Sequence, residues 1–111
     1  NRVADDRVGK VKARLEADME NPPVLAELGK HIGCSPFYLC RIFSQYTGTT
    51  ISKYLRHIRM EKAAVLLKSG KHNVTETAMI VGYSSLSHFS KAFSETFGTC
   101  PCAYPYNKSR K

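Results

Sequence analysis

The chain repeats itself once. Leu25-Ala26-Glu27-Leu28 aligns with Val74-Thr75-Glu76-Thr77, and Gly33 with Gly82, at a shift of 49 residues. Beyond the glycine the shift becomes 50: Leu39 meets Phe89, Arg41 meets Lys91, Phe43 meets Phe93, and Gly48-Thr49 meets Gly98-Thr99. The second turn therefore holds one extra residue. Apolar residues at spacings of three and four on either side of a central glycine describe a short helix, a tight turn and a longer helix. Glycine suits the turn because the chain reverses there with little steric room. Two such units make an all-α fold: two helix-turn-helix subdomains joined by a linking helix, about seven helices in all. No β-type alternation competes with this pattern.

The punctuation between the units agrees with it. Asp5 and Asp6 suit a helix start, and Val8, Val11, Leu15 and Met19 follow at helical spacing. Asn21-Pro22-Pro23 stops that helix, since proline lacks a donor and disfavours helix in the residue before it. A short helix is predicted from Val24 to His31. Gly33 is the turn, Ser35 the N-cap and Pro36 the first helical residue of a third helix through Tyr46. These residues, 24–48, are the first helix-turn-helix. Thr49 or Thr50 caps a linking helix, 51–69, whose stripe is Ile51, Tyr54, Leu55, Ile58, Ala63, Leu66 and Leu67, with Lys53, Arg56, Arg59 and Lys62 projecting elsewhere. The second helix-turn-helix, 74–98, has a helix over Val74–Val81, a turn at Gly82 and a helix from Ser84 to Phe97, stopped by Gly98. Pro101–Tyr106 is expected to add one last turn, and the basic tail Asn107–Lys111 to fray.

Composition bounds the function. A length of 111 residues fits one compact domain or two very small ones sharing an element, and an apolar fraction of 42% supports a modest core. The net charge of +8 asks for a polyanionic partner, either nucleic acid or an acidic membrane surface. No apolar run approaches the length that spans a bilayer, and no signal-peptide pattern opens the chain. The first residue is Asn1 and not Met, which is read as a fragment of a longer protein or a processed chain. Cys34, Cys40, Cys100 and Cys102 have a spacing that suits no ordinary zinc site, and His31, His72 and His88 are scattered, so reduced, metal-free thiols in a cytoplasmic protein are expected, with no cofactor.

Within the longer helix of each unit, Leu39, Ile42 and Phe43, and likewise Phe89, Ala92 and Phe93, face back onto the short helix. That leaves Phe37, Cys40 and Arg41 in the first unit, and Leu86, Ser87, His88 and Lys91 in the second, on or near the outward side. A basic residue at the same relative place in both units is what a DNA-reading helix needs. Blander roles stand beside this one: a neutral exposed thiol for Cys40, burial against a neighbour for Phe37 and Leu86, and a hydrogen-bonding surface residue for His88. The helix starts at Ser35, Thr50 and Ser84 present free backbone N–H groups, which are natural phosphate seats.

The segment from Ala78 to Phe93, Ala-Met-Ile-Val-Gly-Tyr-Ser-Ser-Leu-Ser-His-Phe-Ser-Lys-Ala-Phe, resembles the signature of the AraC/XylS family of bacterial transcription regulators. The resemblance continues through Phe97-Gly98, Pro101 and Ala103-Tyr104. Upstream, Leu39, Arg41, Phe43, Thr47-Gly48, Tyr54-Leu55, Arg59, Ala63 and Leu66-Leu67 resemble the family's first unit and linking helix, so nearly the whole chain, 1–111, is covered. The resemblance implies a sequence-specific double-stranded DNA-binding domain whose recognition helices, about 35–46 and 84–97, enter successive major grooves. A linking helix of about eighteen residues spans roughly 27 Å, against about 34 Å between successive groove faces on one side of DNA. It further implies base-edge or groove contacts from Phe37, Cys40, Arg41, Leu86, Ser87, His88 and Lys91. Arginine grips guanine bidentately, and apolar groups pack on thymine methyls. Arg59 matches a family position on the linking helix, where pairing with a carboxylate and holding a phosphate are both open. The chain departs from the pattern at Pro105, where arginine is common, at Cys100 and Cys102, where serine is frequent, and at Thr77, where a larger aliphatic residue is usual.

Other function classes fit less well. A protein-binding module would use the same basic helices on RNA polymerase or another acidic partner, and the family's contact with polymerase makes the two compatible. An enzyme would need paired carboxylates, a nucleophile beside a base or a phosphate-cradling glycine loop, and none is legible. A membrane-surface helix would need a broad apolar face, whereas here the apolar faces are consumed by the repeat. A small-molecule effector is expected to act only through an N-terminal effector or dimerisation domain lying before Asn1.

Overall fold

The computed structural model describes residues 2–104 and contains, among them, six helices and no strand: α1 (Arg2–Ala17), α2 (Leu25–Ile32), α3 (Pro36–Thr47), α4 (Ile51–Ser69), α5 (Val74–Ile80) and α6 (Leu86–Phe97). The chain divides into two compact units, Asn1–Leu55 and Arg56–Lys111, and α4 runs unbroken through the division.

The first unit is built on α1. Ala4, Val8, Val11 and Leu15 recur every three or four residues and are buried; α1 packs on α2 and α3, where Leu28 and Leu39, Ile42 and Phe43 are buried in turn. The helix begins at Arg2, ahead of the aspartates expected to open it, so Asp5 lies inside the first turn, where the helix dipole favours a carboxylate. Gly33 closes α2 in the left-handed conformation (φ 91°). The N–H groups of Gly33 and Cys34 both donate to the Gly29 carbonyl, at 2.8 and 2.9 Å. This reversal needs glycine a second time: a Cβ on Gly29 would lie 2.6 Å from the Cys34 carbonyl oxygen. Ser35 caps α3 as expected, its hydroxyl accepting from Tyr38 N–H at 3.1 Å, with Pro36 at the first helical position.

The second unit starts from a capping box at α5, in which Asn73 Oδ1 accepts from Glu76 N–H and Glu76 Oε1 accepts from Asn73 N–H. Its core joins Met60, Ala63, Ala64 and Leu67 of α4 to Ala78, Val81, Phe89, Ala92, Phe93 and Tyr104. Phe93 is the hub, with ring centroids 5.8 Å from Phe89, 4.6 Å from Phe97 and 5.3 Å from Tyr104. Met60, fully buried, is absent from the apolar stripe expected of the linking helix, while Ile51, Tyr54, Leu55 and Leu66 of that stripe are only half-buried. The cap of α6 is Ser85, not Ser84; its hydroxyl accepts from His88 N–H, and Ser84 stands one residue ahead in the turn. After α6 the described residues end in the expected turn, over Cys100–Tyr104, in which Ala103 N–H donates to Cys100 O and Tyr104 N–H to Pro101 O. Pro105, Tyr106 and the basic tail lie outside the described residues.

Candidate nucleic-acid interface

Each unit presents one helix whose inner face is sealed and whose outer face is open. On α3, Leu39, Ile42 and Phe43 are buried and Arg41 is exposed. Phe37 is 82% exposed, so burial against a neighbour is excluded for it. On α6, Phe89, Ala92 and Phe93 are buried, while Leu86 (46%), Ser87, His88 and Lys91 face outward. Arg41 and Lys91 are thus exposed at matching places, each beside a fully buried phenylalanine two residues on that fixes how its helix is turned.

Cys40 is the least open of the residues expected on or near the outward side. It is half-buried and lines a hollow of about 280 Å³ within the first unit, together with Leu15, Leu28 and Leu55. At the edge of a 3.6-residue stripe, one position along the helix is enough to turn a side chain from solvent toward the core.

Of the phosphate-seat residues, Ser35, Thr50 and Ser84 are exposed and Arg59 is half-buried. Ser35 and Thr50 are exposed and spend their hydroxyls on their own helices, Thr50 Oγ1 accepting from Lys53 N–H at 3.1 Å. The first intrahelical bonds of α3 and α6 are Leu39 N–H to Ser35 O and Phe89 N–H to Ser85 O, both 3.0 Å. The backbone N–H groups of Phe37, Leu86 and Ser87 precede those bonds and point out of the helix start. Arg59 is half-buried, its guanidinium 5.3 Å from the centroid of the Tyr83 ring. That stacking ties α4 to the turn between α5 and α6, and Tyr83 packs in turn edge-on against Phe89 at 5.6 Å.

Two outward features were not singled out in the sequence. Tyr38, on the first turn of α3, is exposed with the Arg7 guanidinium 5.9 Å above its ring. Arg56 of α4 pairs with Glu95 of α6. The repeat offered a signal for the first, because Tyr38 aligns with His88 at the shift of 50. Among the described residues no group of three or more histidine, cysteine or acidic side chains is placed to hold a metal, and no helix is long and apolar enough to cross a membrane.

Residues 28–105 match the family model described as a helix-turn-helix domain. The HTH-type transcriptional regulator GbdR of Pseudomonas aeruginosa (strain UCBPP-PA14) is 34% identical over 95 residues, 86% of this chain and 26% of that protein. The uncharacterized HTH-type transcriptional regulator YidL of Escherichia coli (strain K12) is 35% identical over 97 residues, 87% of this chain and 33% of that one. The chain thus spans between a quarter and a third of these relatives. Among solved structures, a transcriptional regulator described as AraC-type DNA-binding domain-containing, from Chromobacterium violaceum, superposes with a TM-score of 0.82 at 28% identity, over 95% of this chain and 99% of that one. The chain belongs to the helix-turn-helix domain family, in its AraC/XylS branch.

Proposed function

We propose that this domain reads double-stranded DNA by sequence, with α3 and α6 as recognition helices entering successive turns of the major groove. The observation that carries the reading is the matched outer face: an exposed cation, Arg41 or Lys91, on a capped helix whose opposite face is locked by a buried phenylalanine. Rigid support is what lets a side chain report on a base edge. Phe37 and Leu86 are assigned to thymine methyls, Arg41 and Lys91 to guanine edges, and Ser87 and His88 to polar groove contacts. Cys40 contributes at the rim of its helix. Ser35, Thr50, Ser84 and the first-turn N–H groups are assigned to phosphates, and Arg59 to orienting the second unit through Tyr83.

The domain is read as part of a cytoplasmic transcription regulator and not as an enzyme, in keeping with relatives whose printed names are those of regulators. RNA polymerase is a further partner in this proposal, and a separate N-terminal domain is the place for any effector.

The test is selection on a randomised duplex library with salt titration. Arg41→Ala is expected to cost about 1–3 kcal/mol and to relax preference at one or two base pairs, and Lys91→Ala to do the same in the other half-site. The logarithm of affinity should fall with the logarithm of salt at a slope near −0.9 per phosphate neutralised. Unchanged site preference in both variants, or salt-independent affinity, would refute the assignment.

A further inference from the structure

The four cysteines fall into two classes. Cys34 and Cys40 are half-buried in the first unit, whereas Cys100 and Cys102 are exposed on the turn that follows α6, their sulfurs 2.9 Å apart. That turn is held at both ends: Pro101 and Tyr104 are buried, and Tyr104 packs on the rings of Phe93 and Phe97. The two thiols are therefore presented together on a fixed loop instead of meeting by chance on a floppy one. Closing them into a disulfide needs the sulfurs to approach by less than about 1 Å, toward the usual bond length near 2.05 Å.

We propose that Cys100 and Cys102 are a reversible oxidation site, a dithiol that a hydroperoxide closes to an intrachain disulfide. Either sulfur can donate to the other across that distance, and the backbone N–H of Ala103 favours negative charge on Cys100. With the Cys102 thiol as donor, this contact, helped by the Ala103 N–H, holds the Cys100 thiol below the ordinary range. The same contact, with slight desolvation and the charge on Cys100, pushes Cys102 up. Cys100 is thus the nucleophile and Cys102 the proton-bearing partner, because the thiolate is the reactive form. Lys68, Lys71 and His72 line the hollow that Cys102 shares with Glu76, so basic side chains stand on the Cys102 side of the pair.

In the first step the Cys100 thiolate attacks one peroxide oxygen. An S–O bond forms, the O–O bond breaks, sulfur is oxidised to a sulfenic acid, and the departing hydroxide or alkoxide takes a proton to leave as water or alcohol. The sulfenic acid is neutral, so the charge that kept the Cys102 proton in place is gone. Cys102 then loses its proton and attacks the Cys100 sulfur; the S–S bond forms, the S–O bond breaks, and hydroxide leaves as water. The sum is two thiols and one peroxide giving one disulfide, one water and one water or alcohol. A dithiol reductant reverses it.

The experiment treats the whole chain with limiting hydrogen peroxide and follows thiol count and peptide mass. The expected result is loss of two thiols per chain, mapped to a Cys100–Cys102 disulfide and restored by dithiothreitol, while Cys34 and Cys40 stay reduced. C102S should stall at a sulfenic acid on Cys100 that dimedone captures, and C100S should react severalfold more slowly. Oxidation of Cys34 or Cys40 at the same rate, equal reactivity of C100S and C102S, or a wild-type product that is intermolecular or a sulfinic acid would each overturn the proposal.

Discussion

Thr77 offers the sharpest test of the packing in the second unit. It sits on α5 with no exposed surface, and its Oγ1 has no hydrogen-bond partner among the described residues. The backbone around it is fully engaged, with Thr77 N–H donating to Asn73 O and Val81 N–H donating to Thr77 O. Only the hydroxyl loses its water on folding and gains nothing in exchange, a desolvation cost of about 1–3 kcal/mol. Thr77→Val replaces that hydroxyl by a methyl of the same shape, and the two residues rank together in helix propensity, so no backbone term offsets the gain. The variant is expected to be more stable by about 1–3 kcal/mol. Urea unfolding followed by circular dichroism should show a higher midpoint at unchanged slope, and the melting temperature should rise by about 3–6 °C per kcal/mol for a chain of this size. The repeat supports the direction, because the aligned residue in the first unit is Leu28, itself buried. A Thr77→Val protein that is neutral or less stable would refute the reasoning, since it would mean that the hydroxyl is satisfied inside the core.

Three further outcomes follow from the same geometry. Gly29→Ala should destabilise by about 1–3 kcal/mol despite alanine's better helix propensity, because the new methyl meets the backbone of Cys34 and Pro36; Gly9→Ala, whose added methyl meets nothing within 4 Å on the exposed face of α1, should instead stabilise by about 0.5–1 kcal/mol, both read from thermal melts. Phe43→Ala and Phe93→Ala should each cost about 3–5 kcal/mol in denaturant titrations, as each ring is fully buried. Asn73→Ala should cost about 1 kcal/mol by removing the capping box of α5, and hydrogen exchange should localise the loss to the amides of that helix's first turn.

Most of the helix boundaries were legible because they are written in local chemistry. Ser35-Pro36, Thr50, Gly33, Gly48 and Gly98 act through their own backbone and their own side chains, and the structure uses each as the sequence suggests. The one-residue error at Ser84 arose where two serines stand side by side, although carrying Ser35 forward by the repeat shift of 50 lands on Ser85. What depends on neighbours distant in sequence was not legible. Met60 is a different case: it stands three, four and seven residues before Ala63, Ala64 and Leu67, so the helical spacing carries its burial although the expected stripe left it out. The stacking of Arg59 on Tyr83 joins a helix to a turn in a later element, and only the fold brings them together. Cys40 lies near the margin of its helix's apolar face, where periodicity alone does not separate rim from exterior.

The unequal turns of the two units are one structural fact seen twice. In the first, the chain reverses so tightly that the Cys34 carbonyl oxygen would sit 2.6 Å from a Cβ on Gly29, and only glycine fits. In the second, the aligned residue is Ala78, which buries its methyl in the core, and one extra residue between Gly82 and Ser85 accompanies that change. Despite the difference, the N–H of the residue after each glycine closes the same bond, Cys34 to Gly29 O and Tyr83 to Ala78 O, both at 2.9 Å. The longer turn carries Tyr83, whose ring then receives Arg59 on one side and packs edge-on against Phe89 on the other. Tyr83 thus links α4 to α6 through its ring, whereas the aligned residue of the tighter first turn is Cys34, which has none. Removing the ring without changing the backbone, as in Tyr83→Ala, should therefore loosen the seating of α6 while leaving its Ser85 cap and its core phenylalanines in place. In the DNA-binding assay that loss should appear as weaker preference in the half-site that the proposal assigns to Lys91, with the half-site assigned to Arg41 unchanged. Equal weakening of both halves would mean that Tyr83 acts through overall stability and not through the placement of one reading helix.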